Sequence, residues 1–208
     1  GASPASGGAE AAKGANARRR RESRTARRPA RRDSEPEPER SAPGRQGGEG
    51  ANGMAEAWFY HLTDTALEAA APEILEKCLA RGWRVCLRAG STARVSALNL
   101  HLWTYREEGF LPHGAPEDGF AQAQPIYLTA GRETPNAPHV LMLVDGAAPD
   151  VPEFGSFERV VLMFDDADAP AKERARAAWR EVASGGMKAV YWAQDGGRWV
   201  KRAESGGG

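Results

Sequence analysis

The chain has 208 residues, 28 of them Lys or Arg and 28 Asp or Glu, so its formal net charge is zero. No apolar run is long enough to span a bilayer, which excludes a helical membrane anchor within this sequence. The balance hides an asymmetry: residues 1–53 hold 12 Lys/Arg against 7 Asp/Glu, whereas residues 54–208 hold 16 against 21.

Residues 1–53 contain no Val, Ile, Leu, Met, Phe, Trp, Tyr or Cys. With Ala as its only apolar side chain, this Arg/Gly/Pro/Ala-rich stretch cannot bury enough surface to offset its ordering entropy, and disorder is expected. Arg18 to Arg21, Arg24, Arg27, Arg28, Arg31 and Arg32 form a basic run, followed by the acidic stretch Glu35 to Glu39. One reading is an arm that meets nucleic-acid phosphates. The other, favoured by the low complexity and by Met54 as the first methionine, is a misplaced start or a non-native leader without a role. Residues 54–208 suffice for one domain with a real core.

The first predicted strand is Trp58–Leu62, short and aromatic. Thr63 or Asp64 then offers an N-cap for a helix reaching Arg81, with Leu67, Ile74, Leu75 and Cys78 at helical spacing and Gly82 as its stop. Pro72 inside this pattern predicts a kink, or a helix that starts near it. A second strand is predicted over Trp83–Ala89. Gly90 and Ser91 lead into a helix reaching Tyr105, with Val95, Leu98 and Leu102 inward. Residues 107–124, rich in Gly and Pro, read as a surface loop, although Phe110 and Leu111 form an apolar pair within it. Strands follow at Pro125–Thr129, Val140–Val144 and Phe157–Phe164. After the next helix, Lys188–Trp192 and Arg198–Val200 read as a short hairpin across Gly196-Gly197. The order predicts a three-layer α/β fold with a mostly parallel central sheet flanked by helices.

The late helix, within Phe164–Val182, carries the most information. Asp165, Asp166 and Asp168 precede it and Pro170 fits its first turn. Ala171, Ala175, Ala178 and Val182 make a small-residue face that can lie close to a sheet. Lys172, Arg176 and Arg180 recur at i, i+4 and i+8, with Trp179 on the flank of that stripe. Cations beside an indole could receive an acidic peptide bearing an aromatic residue. Spacing alone equally fits a solvated basic face whose Trp tucks onto the sheet.

The architecture invites a nucleotide-binding enzyme, but neither GxGxxG after a strand nor GxxxxGK[ST] is present. His61, His101, His113 and His139 lack metal-ligand spacing and read as packed or surface histidines. The three aspartates read as helix caps, not metal ligands. No activated nucleophile with a base is evident, so no catalytic residue, cofactor or metal is assigned. Cys78 and Cys86 make no disulfide framework, and a reduced, cytoplasmic setting is expected.

From Met54 onward the sequence resembles the chi subunit family of the bacterial DNA polymerase III holoenzyme. The resemblance rests on an ordered set: WFYHL, then Leu102-Trp103 with Phe110 to His113, QPIYLT, Asn136 to Pro138 before VLMLVDG, and FERVVLMFD. The helix carrying Arg176, Trp179 and Arg180 and the closing VYWAQDGGRWVKRA complete it. It implies a nucleotide-binding-like fold without phosphate loops and a non-catalytic accessory subunit within the clamp loader. By resemblance, Lys172, Arg176, Trp179 and Arg180 hold the acidic, Phe-ended tail of the single-stranded-DNA-binding protein. Arg176 or Arg180 suits the terminal carboxylate, since a guanidinium pairs in bidentate fashion. Where the family often has Tyr and Lys, this chain has Trp179 and Arg180. The resemblance also places the psi subunit against Trp103 and Phe110, and leaves nucleic-acid contact mainly indirect. Trp103 as ordinary helix core is the alternative there. Competing functional readings are a nucleotide-dependent enzyme and a nucleic-acid binder acting through the basic tail.

Overall fold

The computed structural model describes residues 55–206. The expectations for residues 1–53 lie outside the described residues. The order is β1 (Glu56–Leu62), α1 (Leu67–Ala80), β2 (Val85–Ala89), α2 (Thr92–Thr104), β3 (His113–Gly114), β4 (Ile126–Thr129) and β5 (Val140–Val144), then β6 (Arg159–Asp165), α3 (Ala169–Ser184), β7 (Lys188–Asp195) and β8 (Arg198–Ser205). One eight-stranded sheet runs β3-β4-β2-β5-β6-β1-β7-β8. All neighbours pair parallel except β7 with β8. The fold is therefore the three-layer α/β class, with a mostly parallel sheet. No helix among the described residues is long and apolar enough to cross a membrane.

Every residue of β2, β4 and β5 is buried, as continuous apolar strands covered on both faces must be. One core packs α1 and α2 against Tyr60, Leu87, Leu128, Met142 and Met163. The other packs Ala175, Ala178 and Val182 of α3, together with Phe154 and Phe157, against Phe59, Leu141 and Leu162. Asp168 caps α3 by accepting from the Ala171 N–H at 2.9 Å, and Ser91 caps α2 by accepting from the Arg94 N–H at 3.3 Å. Gly196 and Gly197 (φ 58° and 75°) make the two-residue β7–β8 turn, a primed hairpin turn that needs positive φ at both positions.

Several element limits differ from expectation. The N-cap of α1 is Ala66, because the backbone of Thr63, Asp64 and Thr65 is engaged elsewhere. β6 starts at Arg159, since Val151–Ser156 winds as a 3₁₀ turn that buries Phe154. The 107–124 loop is partly ordered: Leu111 and His113 are buried, and His113–Gly114 adds a strand beside β4. β8 extends to Ser205, beyond the predicted Val200.

Pro72 neither starts α1 nor ends it. An interior proline costs about 3 kcal/mol because it lacks the N–H for the carbonyl four residues back. Here that carbonyl is Glu68's, and it accepts instead from His101 Nε2 of α2 at 2.8 Å. Burying Leu67, Ile74 and Leu75 contributes about 1.5–3 kcal/mol each and outweighs the remaining cost. His101→Ala should lower the unfolding free energy by about 1–2 kcal/mol. The readout is a lower urea midpoint at unchanged m-value, and adding Pro72→Ala, which returns an N–H to Glu68, should recover part of the loss.

Candidate functional site

The exposed flank of α3 and the adjoining face of β1 and β7 enclose a groove of about 580 Å³. Alternation along β1 sends Phe59 and His61 to this side, and the same parity in β7 brings Tyr191 beside them. The small-residue face of α3 lets the helix sit close, so Trp179 reaches the sheet. Its indole packs edge-on to Phe59 (centroids 5.3 Å apart) and to Tyr191 (6.3 Å), leaving it half-buried. His61 stacks on Phe164 at 4.9 Å, completing an aromatic floor.

Lys172, Arg176 and Arg180 line the rim of this same groove with Trp179. The structure thus gathers all four residues at one place, and the indole is not sealed inside. Arg180 Nε donates to the Arg176 carbonyl at 3.3 Å, and Arg176 pairs with Glu173. Lys172 Nζ and His61 Nε2 each lie 3.0 Å from Asp166 Oδ1, while His61 Nδ1 meets the Tyr191 hydroxyl at 2.7 Å. The hydrogen bond and charge of Lys172, with a smaller contribution from His61, hold the Asp166 carboxyl below its ordinary value. Burial pushes the Tyr191 phenol up, so it stays neutral and able to donate. A groove with an aromatic floor and a guanidinium–ammonium rim can take an aromatic ring and carboxylates at once.

The aspartates ahead of α3 divide their tasks. Asp168 caps, Asp165 accepts from the Ala167 N–H at 2.7 Å, and Asp166 belongs to the groove. No cluster able to hold a metal ion occurs among the described residues. The remaining histidines serve packing: His113 meets the Leu111 and Asn99 carbonyls, and His139 Nδ1 accepts from the Arg84 N–H at 3.0 Å.

The β1–α1 turn is where nucleotide-binding α/β folds present backbone N–H groups to phosphate. Here the N–H groups of Thr63, Asp64 and Thr65 converge on Gln194 Oε1 at 3.1, 2.9 and 3.1 Å. Gln194 is 7% exposed, so an amide oxygen from β7 fills the place of an anion. Beside it, a crevice at the strand ends is lined by Glu68, Asp145, Asp165 and Asp168, and Arg94 spans it to Glu68 and Asp145. Acidic walls repel phosphate, and the local cation is already paired.

Trp103 and Phe110 sit at a different place, on the end of α2 and the segment after it. Their rings are 5.9 Å apart and are 54% and 68% exposed, so Trp103 is not helix core. Leu100, one turn back on α2, is equally exposed. Sequence reasoning missed the groove floor of Phe59, His61, Phe164 and Tyr191. The available signal was alternation in WFYHL, which puts Phe59 and His61 on one face.

Fold and recesses together define an α/β domain of nucleotide-binding-like frame, its phosphate donors satisfied from within and a basic groove opened beside its last helix. The family model of the DNA polymerase III chi subunit, HolC, matches residues 54–190. A Rickettsia prowazekii (strain Madrid E) protein described as a "Probable DNA polymerase III subunit chi" is 30% identical over 91 residues, or 44% of this chain. That alignment spans 55% of the relative's own length. The chain belongs to the DNA polymerase III chi subunit family, a family of replication accessory subunits.

Gln194→Ala should strip the N–H groups of Thr63, Asp64 and Thr65, all at part-buried bonds, of their acceptor and cost about 1–2 kcal/mol. A thermal melt should show that loss as a midpoint below that of the parent chain.

Proposed function

We propose that this chain, through residues 54–208, links the clamp loader to the single-stranded-DNA-binding protein by holding that protein's acidic C-terminal tail in the α3 groove. One observation carries the reading: Lys172, Arg176 and Arg180 border the same groove whose floor is Trp179, Phe59, Phe164 and Tyr191. A peptide ending in Phe offers a phenyl ring for the floor, a terminal carboxylate for Arg176 or Arg180, and acidic side chains for the rest of the rim. Trp179 brings a larger ring than a tyrosine but no hydroxyl, so its part is packing and cation–π attraction. The exposed pair Trp103 and Phe110 supplies the contact to a partner subunit of the psi type, where aromatic side chains carry most interface energy. Residues 1–53 have no part in either contact. The chain itself is non-catalytic and acts in the cytoplasm.

A nucleotide-dependent enzyme is the competing reading. It would need donors for phosphate, and those of the β1–α1 turn are taken by Gln194.

Calorimetric titration with a peptide copying the acidic tail should give micromolar binding that weakens as salt rises, since the contact is mainly ionic. Arg180→Ala and Trp179→Ala should each weaken it by about 1–3 kcal/mol. Equal binding by the parent chain and both variants would exclude the groove. Trp103→Ala should leave peptide binding and melting temperature unchanged while weakening co-purification with the partner subunit.

A further inference from the structure

Six tryptophans occur in the chain, and four of them gather where neither groove nor α2 patch lies. Trp58, Trp83, Trp192 and Trp199 border the face of β1, β7 and β8 opposite to α3, around Tyr60. Trp58 and Trp192 lie 5.7 Å apart, Tyr60 and Trp192 stack within 11° of parallel, and Trp199 meets Tyr60 edge-on at 4.8 Å. Cations interleave with these rings. The Arg159 guanidinium lies 3.8 Å from the Trp58 centroid and 4.9 Å from that of Trp83, and Arg81 lies 5.2 Å from Trp83. Tyr60 is buried in the core that α1 helps to form, and the four indoles pack at the margin of that core, each half-buried.

The charge on this face runs against that of the domain. Residues 54–208 hold 16 basic and 21 acidic side chains, a net −5. The face carries Arg81, Arg159, Lys188 and Lys201 against Glu56 and Glu204, a net +2. All four indoles are half-buried and braced by neighbours, so stacking on them would cost little side-chain entropy. Among the described residues the large apolar side chains that stand well exposed, Leu100, Trp103, Phe110 and Phe120, all lie elsewhere. A dry protein interface would require such protruding groups here. Rigid rings interspersed with cations suit a ligand that is itself a series of flat rings joined by anions.

We propose that this aromatic–cationic face binds single-stranded nucleic acid directly, with bases stacking on the indoles and phosphates meeting Arg81 and, in exchange for their Glu56 and Glu204 partners, Lys188 and Lys201. Base–aromatic stacking contributes about 1–3 kcal/mol per base, without sequence preference. The site is independent of the α3 groove, which lies on the other side of the sheet.

The test is titration of the full chain with fluorescein-labelled oligo(dT), following anisotropy and intrinsic indole fluorescence at several salt concentrations. Binding should quench the indoles. Trp199→Ala should weaken affinity by about 5- to 150-fold. Arg81→Glu with Lys201→Glu, both solvent-exposed changes that leave the core intact, should weaken it and flatten the log K against log salt slope by about 1.4, two single-strand phosphate contacts. The Arg-rich residues 1–53 are present in every variant, so only differences between variants are read. Parent-like binding and quenching by folded variants would overturn the proposal, as would equal binding of a duplex of the same length. Failure to bind oligo(dT), with self-association on sedimentation that these substitutions abolish, would also overturn it and assign the face to a second copy of the chain.

Discussion

A parallel sheet must be covered, and this one is wider than its helices. Eight strands about 4.8 Å apart span roughly 34 Å, while a helix with its side chains is about 10 Å across and shields two strands. Two helices lie on one face and one on the other. They and the Val151–Ser156 turn seal β2, β4 and β5, in which every residue is buried. Coverage fails toward β7 and β8, and no residue of β8 is buried. The α3 groove opens on one side of that uncovered edge and the tryptophan face on the other. Both recesses follow from one shortage of helical cover.

The strand ends show the same economy in another form. A nucleotide-binding frame positions backbone donors after its first strand, and unsatisfied donors there would be costly when buried. This chain satisfies three of them with a single side-chain oxygen, Gln194 Oε1, delivered by the strand beside β1. The Gly197 N–H donates to Asp64 at 2.9 Å, fastening the hairpin turn to the same loop. The open recess lies instead on the flank of α3. The backbone donors after β1 are thus met from within the chain.

Cations on both recesses are held by neighbours rather than left loose. Lys172 is placed by Asp166, Arg176 by Glu173, and Lys188 by Glu56 and Glu204. Exposed pairs of this kind contribute little to stability. Their consequence is orientation: each pair narrows the rotamers open to a long side chain.

By itself the sequence determined the α/β class, the presence of all three helices and the sheet-facing side of α3, because apolar periodicity of 3.6 or 2 follows from local backbone geometry. It also determined that Lys172, Arg176 and Arg180 share one stripe, since i, i+4 spacing is a property of the helix alone. Tertiary structure decided which face of Trp179 is buried, that His61 of β1 and Tyr191 of β7 join the stripe, and that Gln194 answers the turn after β1. His61 with Tyr191 and with Asp166, and Gln194 with the turn, join residues more than 100 positions apart, and strand order, which no local pattern encodes, brings them together. Pro72 is the clearest instance: the chain predicts a kink or a helix starting near it, and the helix instead starts at Leu67, with a histidine of the next helix meeting the carbonyl that the proline leaves without an N–H.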